Sequence, residues 1–134
     1  MLAIRGGERV RSRPYPQWPA WSAEEETLLL EALRSGKWGI GGKKVEEFAS
    51  LFASYQGCRY GVACMNGSVA IKVALQAVGV EPGDEVITTP YTFIATATAA
   101  IELGAVPVFA DIEEDGLNIA PGSVEENITN RTKA

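Results

Sequence analysis

The chain has 134 residues, enough for one domain or for part of a larger protein. Its 17 acidic and 12 basic residues give a net charge of −5, which argues against binding nucleic acid or an anionic membrane through a basic surface. The sequence contains no histidine, so a general base or a metal site would need other side chains, and we predict no metal site.

The two cysteines and the N-terminus indicate a reducing compartment. Cys58 and Cys64 on one extended strand would be about 20 Å apart, too far for a disulfide, so we expect two buried, reduced thiols. Met1–Val10 has no apolar core of signal-peptide length, and no apolar run approaches the length of a membrane span. These features predict a cytoplasmic protein.

Residues 1–21 are predicted to form an extended arm. Its prolines forbid a helix and favour an extended path. The prolines are Pro14, Pro16 and Pro19, and the neighbouring aromatic residues are Tyr15, Trp18 and Trp21. Because aromatic side chains are costly to leave in water, we expect them to pack on the body of the protein or on a second subunit.

Two helices are predicted after the arm. Ser22 and Glu25 have the spacing of a capping box, and this helix extends to about Ser35. A second helix is predicted over Lys44–Gln56, because apolar side chains recur there at three-four spacing, and we expect them to pack in a core. These side chains are Val45, Phe48, Phe52 and Tyr55.

A glycine-rich loop, Lys37–Gly42, separates the two helices. Gly36 and Gly41 have the spacing of the two glycines in a nucleotide-binding P-loop. However, Gly42 stands where the lysine of that motif belongs, and no strand leads into the loop. We therefore exclude a P-loop.

From residue 60 onward, predicted strands and helices alternate. The strands are Tyr60–Cys64, Glu85–Thr89 and Val106–Ile112. The helices are Ser68–Val78, Thr92–Leu103 and a short helix from Ser123 to Ile128, with Ser123 and Glu126 as a second capping box. This alternation predicts a parallel sheet covered by helices on both faces.

The turn Met65–Ser68 is the first candidate for a binding site. A strand that turns into a helix through Asn66, Gly67 and Ser68 leaves unpaired backbone N–H groups and a hydroxyl at the positive end of the helix, which favours phosphate. The same residues could simply cap the helix. The turn Pro90–Phe93 also follows a predicted strand, and ligands of parallel sheets bind at the carboxyl ends of strands.

These segments together resemble the N-terminal part of a DegT–StrS family aminotransferase over nearly the whole chain. The motifs that carry the resemblance are WPAW, SGKWGIGGKKVEEF, NGSVAIKVAL, GVEPGDEVITTPYTFIATATAAIELGAVPVFADIEEDGLNI and ITNRTKA. The resemblance implies an α/β fold of the aspartate-aminotransferase type (fold type I), with a mostly parallel sheet flanked by helices. Residues 22–134 would then be an incomplete N-terminal portion of the large domain that binds pyridoxal phosphate (PLP).

The resemblance also implies an activity. Members of this family use PLP to transfer an amino group from glutamate or glutamine to a keto-sugar, mostly nucleotide-linked, or to a keto-cyclitol, and a homodimer is expected. One alternative is a PLP-dependent dehydratase of the same family, in which histidine replaces the catalytic lysine. A second alternative is a non-catalytic phosphate- or nucleotide-binding domain.

The resemblance assigns roles to five residues. Gly67 and Ser68 match the pair that holds the cofactor phosphate, and Asn66 stands beside them. Phe93 matches the aromatic residue that stacks on the pyridine ring, and Trp38 is placed near the substrate entrance. The lysine that forms a Schiff base with the cofactor belongs to a later part of the family's sequence. We therefore expect this chain to be part of a longer enzyme and unable to transaminate alone.

Overall fold

The computed structural model describes all 134 residues, which form two compact units, Met1–Phe48 and Ala49–Ala134. In chain order, the helices and strands are α1 (Ala23–Ser35), α2 (Lys43–Tyr55), α3 (Gly67–Ala77), β1 (Glu85–Thr88), α4 (Ala95–Ile101), β2 (Val106–Phe109) and α5 (Pro121–Glu126). Helix α2 crosses the boundary between the units. The longest helices have 13 residues, and none has the length and apolar composition needed to cross a membrane.

The arm contains one 3-10 turn, Ala3–Arg5, and otherwise has no helix or strand, as its prolines predict. Its three aromatic side chains are exposed, so packing on the body of this chain, one of the two expected arrangements, is not observed. They are Tyr15, Trp18 and Trp21. The guanidinium of Arg11 lies 4.7 Å from the centre of the Tyr15 ring.

Helix α1 begins and ends as predicted. The Ser22 amide donates a hydrogen bond to the Glu25 carboxylate at 2.7 Å, and the Ser22 hydroxyl accepts one from the Glu24 amide at 3.3 Å. The helix ends at Gly36, whose φ of +65° lies in the left-handed region that glycine adopts without strain. The capping box read from the sequence is therefore confirmed.

Helix α2 lies within one residue of its predicted ends, but its apolar stripe is not in a core. The four side chains of the stripe are exposed, and Ala53 is the only buried residue of the helix. Three-four spacing indicates that one face of a helix is apolar, but it does not identify what covers that face. Near the start of α2, Lys44 forms ion pairs with Glu31 at 3.0 Å and with Glu47 at 3.4 Å.

The second unit contains the predicted parallel sheet. β1 and β2 pair in parallel, from Glu85 opposite Val106 to Thr88 opposite Phe109. Residues 131–134 lie along the other edge of β1 in a parallel direction, joined to it by three backbone hydrogen bonds of 2.8–2.9 Å. β1 is therefore paired on both sides.

Helix α4 connects β1 to β2 and packs against both strands and against α3. A small core forms around these elements, with Leu75 and Leu103 packed on it. Its buried members are Val80, Val86, Ala100 and Ala105. Ala100 of α4 is fully buried in this core, so its small side chain lets α4 lie close to the sheet.

The predicted strand Tyr60–Cys64 does not form. This segment makes no backbone hydrogen bonds to any other part of the chain, and Tyr60 is exposed. A strand needs a hydrogen-bonded neighbour, and no strand of this chain pairs with these residues. Both cysteines are free, as predicted, but Cys58 is exposed and Cys64 is half-buried, so the expectation of two buried thiols is wrong.

Some helices and strands end a few residues away from their predicted ends. β2 ends at Phe109, and α4 is shorter at both ends than the predicted helix. The second capping box is wrong: α5 begins at Pro121, whose ring fixes the backbone for a first helical residue. Ser123 is the third residue of that helix, and its hydroxyl instead accepts a hydrogen bond from the Asp111 amide at 2.9 Å.

Candidate functional site

The N-terminus of α3 presents two unpaired backbone amides. Asn66 is the N-cap residue: its backbone is extended, and its side-chain oxygen accepts a hydrogen bond from the Val69 amide at 2.9 Å. Gly67 and Ser68 follow as the first two residues of the helix, and their amides have no acceptor in the chain. Asn66 thus caps the amide of Val69, and the amides of the two residues before Val69 remain available to a ligand.

The surroundings of these amides suit an anion. The first turn of α3 carries no acidic residue, so the positive end of the helix dipole is not neutralised. A β-carbon built on Gly67 would have no atom within 4 Å, so the space beside this backbone is open. The hydroxyl of Ser68 is exposed and bonds to no other residue. Together these features fit a phosphate group.

Phe93 lies in the loop between β1 and α4. Its side chain is 75% exposed, so it is not a core residue of this chain. Its carbonyl oxygen accepts a hydrogen bond from the Thr96 amide at 3.0 Å, which holds the backbone while the ring stays accessible. An exposed aromatic ring on an anchored loop can stack on a planar ligand.

The structure places the five candidate residues in two groups. Residues 66–68 and Phe93 belong to the second unit, where α3 and α4 pack together and Lys72 forms an ion pair with Glu102 at 3.0 Å. No hydrogen bond or ion pair joins Phe93 to residues 66–68 directly. Trp38 belongs to the first unit; its ring is exposed, and its indole N–H donates to the Leu33 carbonyl at 3.1 Å.

The sequence profile of the DegT/DnrJ/EryC1/StrS aminotransferase family matches residues 19–134. The chain belongs to this family. The matched range includes both candidate turns of the second unit and the Lys37–Gly42 loop. The family resemblance read from the sequence is therefore confirmed.

Individual proteins similar to this chain support the family assignment. L-glutamine:2-deoxy-scyllo-inosose aminotransferase of Streptomyces fradiae is 39% identical over 139 residues, which cover 99% of this chain and 33% of that protein. The crystal structure of 3-amino-5-hydroxybenzoic acid synthase is similar with a TM-score of 0.85 and 39% identity, covering 92% of this chain and 32% of that one. NtdA of Bacillus subtilis, solved with bound PMP, is similar with a TM-score of 0.76 and 36% identity, over 82% of this chain and 25% of that one.

These similarities confirm the predicted fold class. The chain has the α/β architecture of the aminotransferases of the DegT/DnrJ/EryC1/StrS family, with a parallel sheet and flanking helices. The chain spans about a third of the length of the curated relatives that it matches.

One cluster in this family member escaped the sequence analysis. Glu85 is 4% exposed, and its carboxylate accepts hydrogen bonds from the Thr129 hydroxyl at 2.5 Å and from the Arg131 guanidinium, whose Nε lies at 2.9 Å. The hydrogen bond from Thr129, and then those from Arg131, hold the pKa of Glu85 below its ordinary value. These partners lie 44 and 46 residues away in the chain, so no local pattern could have revealed them. The cluster joins residues 129–131 to β1 and lies outside the candidate site.

Proposed function

We propose that the protein carrying this chain is a PLP-dependent aminotransferase that transfers an amino group from glutamine or glutamate to a keto-cyclitol or a keto-sugar. The observation that carries this proposal is the 39% identity to the glutamine-dependent cyclitol aminotransferase over 99% of the chain. The solved relative that contains PMP, an amino form of the same cofactor, supports the choice of cofactor.

The N-terminus of α3 supports a role in binding the cofactor phosphate. We propose that the amides of Gly67 and Ser68 and the Ser68 hydroxyl donate hydrogen bonds to the phosphate, with the helix dipole contributing a favourable field. Asn66 contributes by capping α3 and fixing the turn. The open space beside Gly67 allows a ligand to approach the backbone closely.

Phe93 is proposed to stack on the cofactor ring. When bound, PLP supplies an electron sink for amino-group transfer. The exposed face of Phe93 would keep that ring in one orientation and exclude water from one side. The family resemblance places the lysine to which the cofactor attaches outside residues 1–134.

The remaining assignments concern the first unit and the assembly. We propose that residues 1–21 are an arm, that residues 22–134 are the first portion of a large PLP-binding domain, and that Trp38 lines the substrate entrance. The anchored but exposed indole of Trp38 supports that role. We also propose a cytoplasmic homodimer, in which the exposed aromatic side chains of the arm are covered by the second subunit.

Cofactor binding tests the assignment of the phosphate site. In the intact protein, Ser68→Ala should weaken PLP binding about tenfold, because it removes a hydrogen bond to a charged group. Titration with PLP, followed by absorbance, measures this change. Ser50→Ala is the control, since Ser50 is exposed on α2 outside the candidate site. Equal affinities for the Ser68→Ala variant and the unchanged protein would contradict the assignment.

The same protein preparation tests the reaction. The PLP-loaded protein is incubated with glutamine and 2-deoxy-scyllo-inosose, and separately with a nucleotide-linked keto-sugar. The proposal expects nitrogen from the amino-acid donor on the carbon that carried the keto group in at least one product. Loss of a hydroxyl group without gain of nitrogen would identify the dehydratase instead. No conversion, together with binding of phosphate compounds, would favour the non-catalytic domain.

A further inference from the structure

The loop between β1 and α4 holds Phe93 by its backbone and not by its ring. The Phe93 carbonyl accepts a hydrogen bond from the Thr96 amide at 3.0 Å. The Thr92 and Thr96 hydroxyl oxygens lie 3.1 Å apart and form a hydrogen bond that spans Phe93. Just before it, the Tyr91 amide donates to the Thr89 hydroxyl at 3.3 Å. The backbone is therefore tied on both sides of an exposed aromatic ring.

The hydrogen bond between Thr92 and Thr96 is not a helix cap. Threonine caps a helix by accepting a hydrogen bond from a backbone N–H. The N-cap residue of α4 is Ile94, and no side chain caps this helix. The Thr92 hydroxyl bonds to the Thr96 hydroxyl alone. This bond thus closes a five-residue loop around Phe93 and leaves the first amides of α4 without a side-chain acceptor.

An exposed ring depends on its backbone for its direction. Phe93 is 75% exposed and is not among the buried residues of the core, so the bond from its α-carbon to its β-carbon largely sets where the ring can point. Stacked aromatic rings prefer a restricted set of offsets and distances. A shift of about 1 Å in a positioning group is enough to change catalysis markedly.

We propose that Thr92 and Thr96 are positioning residues for Phe93. Their hydroxyl pair fixes the loop so that the Phe93 ring is presented to the cofactor in one orientation. This inference rests on the proposed function, in which Phe93 stacks on the ring of PLP. It assigns a task to two side chains to which the family resemblance gave none.

Valine substitutions in the intact protein test the proposal. Thr96→Val keeps the shape of the side chain and removes the hydroxyl, whereas Thr96→Ser keeps the hydroxyl. Thr98→Val is the matched control, because Thr98 is half-buried in the same helix and its hydroxyl forms no hydrogen bond within the chain. Two properties are measured: the dissociation constant for PLP, and the circular dichroism that the protein induces in bound PLP, which reports ring orientation.

We expect Thr96→Val to weaken PLP binding about three- to tenfold, the loss that corresponds to one hydrogen bond, and to reduce the induced circular dichroism. Thr92→Val should do the same, Thr96→Ser should restore both properties, and Thr98→Val should change neither. The melting temperature of the cofactor-free protein is recorded for every variant. A lower melting temperature with unchanged circular dichroism per bound PLP would overturn the proposal, because it would indicate a purely structural bond.

Phe93→Leu separates the two levels of inference. If this variant leaves PLP affinity and induced circular dichroism unchanged, then the stacking role in the proposed function is wrong. If Phe93→Leu lowers both and Thr96→Val lowers neither, then Phe93 stacks without help from the threonines and the positioning proposal alone is wrong. Lower PLP affinity and lower induced circular dichroism in all three variants, Phe93→Leu, Thr96→Val and Thr92→Val, would support both the stacking role of Phe93 and the positioning role of the threonines.

Discussion

Strand β1 and the segment 60–64 share a strand prediction but have different structures. Both are short segments with β-branched or other strand-forming residues that lead through a turn into a helix. In β1, Val86 is 6% exposed and the backbone is paired on both sides. In the other segment, Val62 is 79% exposed and the backbone is unpaired. Composition favours an extended chain, but only a neighbouring strand makes it part of a sheet.

The difference matters because each segment leads to one half of the candidate site. β1 leads to Phe93, and residues 60–64 lead to Gly67 and Ser68. The first half is supported by the sheet and by the core under α4. The second half is supported by helix α2, because Gly61 lies against the backbone of Ala49. Substitutions can therefore affect the two halves separately.

The largest expected change in the free energy of unfolding comes from a substitution in the core beside β1. Ala100 is fully buried between α4 and the sheet, so Ala100→Leu adds three heavy atoms to a space that has no room for them. Overpacking of this kind costs about 1–3 kcal/mol, and we expect the upper end because Ala100 has no exposed surface through which a larger side chain could escape. Ala74→Leu, on the exposed face of α3, should change the unfolding free energy little. Urea unfolding followed by circular dichroism measures both, and equal effects would contradict the described core.

A smaller change in the free energy of unfolding is expected when Gly61 is replaced by alanine. A β-carbon at this position would lie 2.3 Å from the Ala49 carbonyl oxygen, so Gly61→Ala forces the segment away from α2. We expect a loss of about 1 kcal/mol, because the unpaired segment can move more easily than the sheet. Gly122→Ala is the control: its β-carbon would meet no atom within 4 Å, and a helical alanine should stabilise slightly. Unfolding midpoints that do not differ between the two variants would show that Gly61 is not in close contact with α2.

Much of the local structure could be predicted from the sequence, because the interactions responsible lie within four residues of each other. The capping box of Ser22 and Glu25 is one case. The turn that leads into β1 is another, where the Asp84 amide donates to the Glu81 carbonyl at 3.1 Å. The N-terminus of α3 was placed within one residue because Asn66 is a good cap.

The errors concern interactions between distant residues. Ser123 has the sequence features of a cap, yet its hydroxyl bonds to an amide twelve residues earlier. The segment 60–64 has a strand composition but no neighbour. For the candidate site, the sequence indicated the two turns, residues 65–68 and 90–93. It could not indicate the hydrogen bond between Thr92 and Thr96, because that bond depends on the backbone geometry of the loop. A periodic pattern shows which residues share one face of a helix and not what covers that face.

The smallest expected effect concerns pH and the second neighbour of β1. The hydrogen bonds from Thr129 and Arg131 lower the pKa of Glu85 in the folded chain. A carboxylate whose pKa is lower in the folded state than in the unfolded state stabilises the fold above its unfolded pKa of about 4.3. This stability is lost as the pH falls below that value and through the folded pKa. The effect should be modest, because the Arg131 side chain is 67% exposed and water competes for it.

Glu85→Gln separates this contribution from the other carboxylates. The amide keeps the shape of the side chain but cannot titrate, so the difference in unfolding free energy between the unchanged protein and the variant should shrink as the pH falls below about 4.3. Glu25, whose pKa is also lowered by its hydrogen bond from Ser22, titrates in both proteins and cancels in the difference. A difference that stays constant with pH would mean that the Glu85 carboxylate does not hold residues 129–131 against β1. The pairing on that edge would then depend on backbone hydrogen bonds alone, which is the kind of support that residues 60–64 lack.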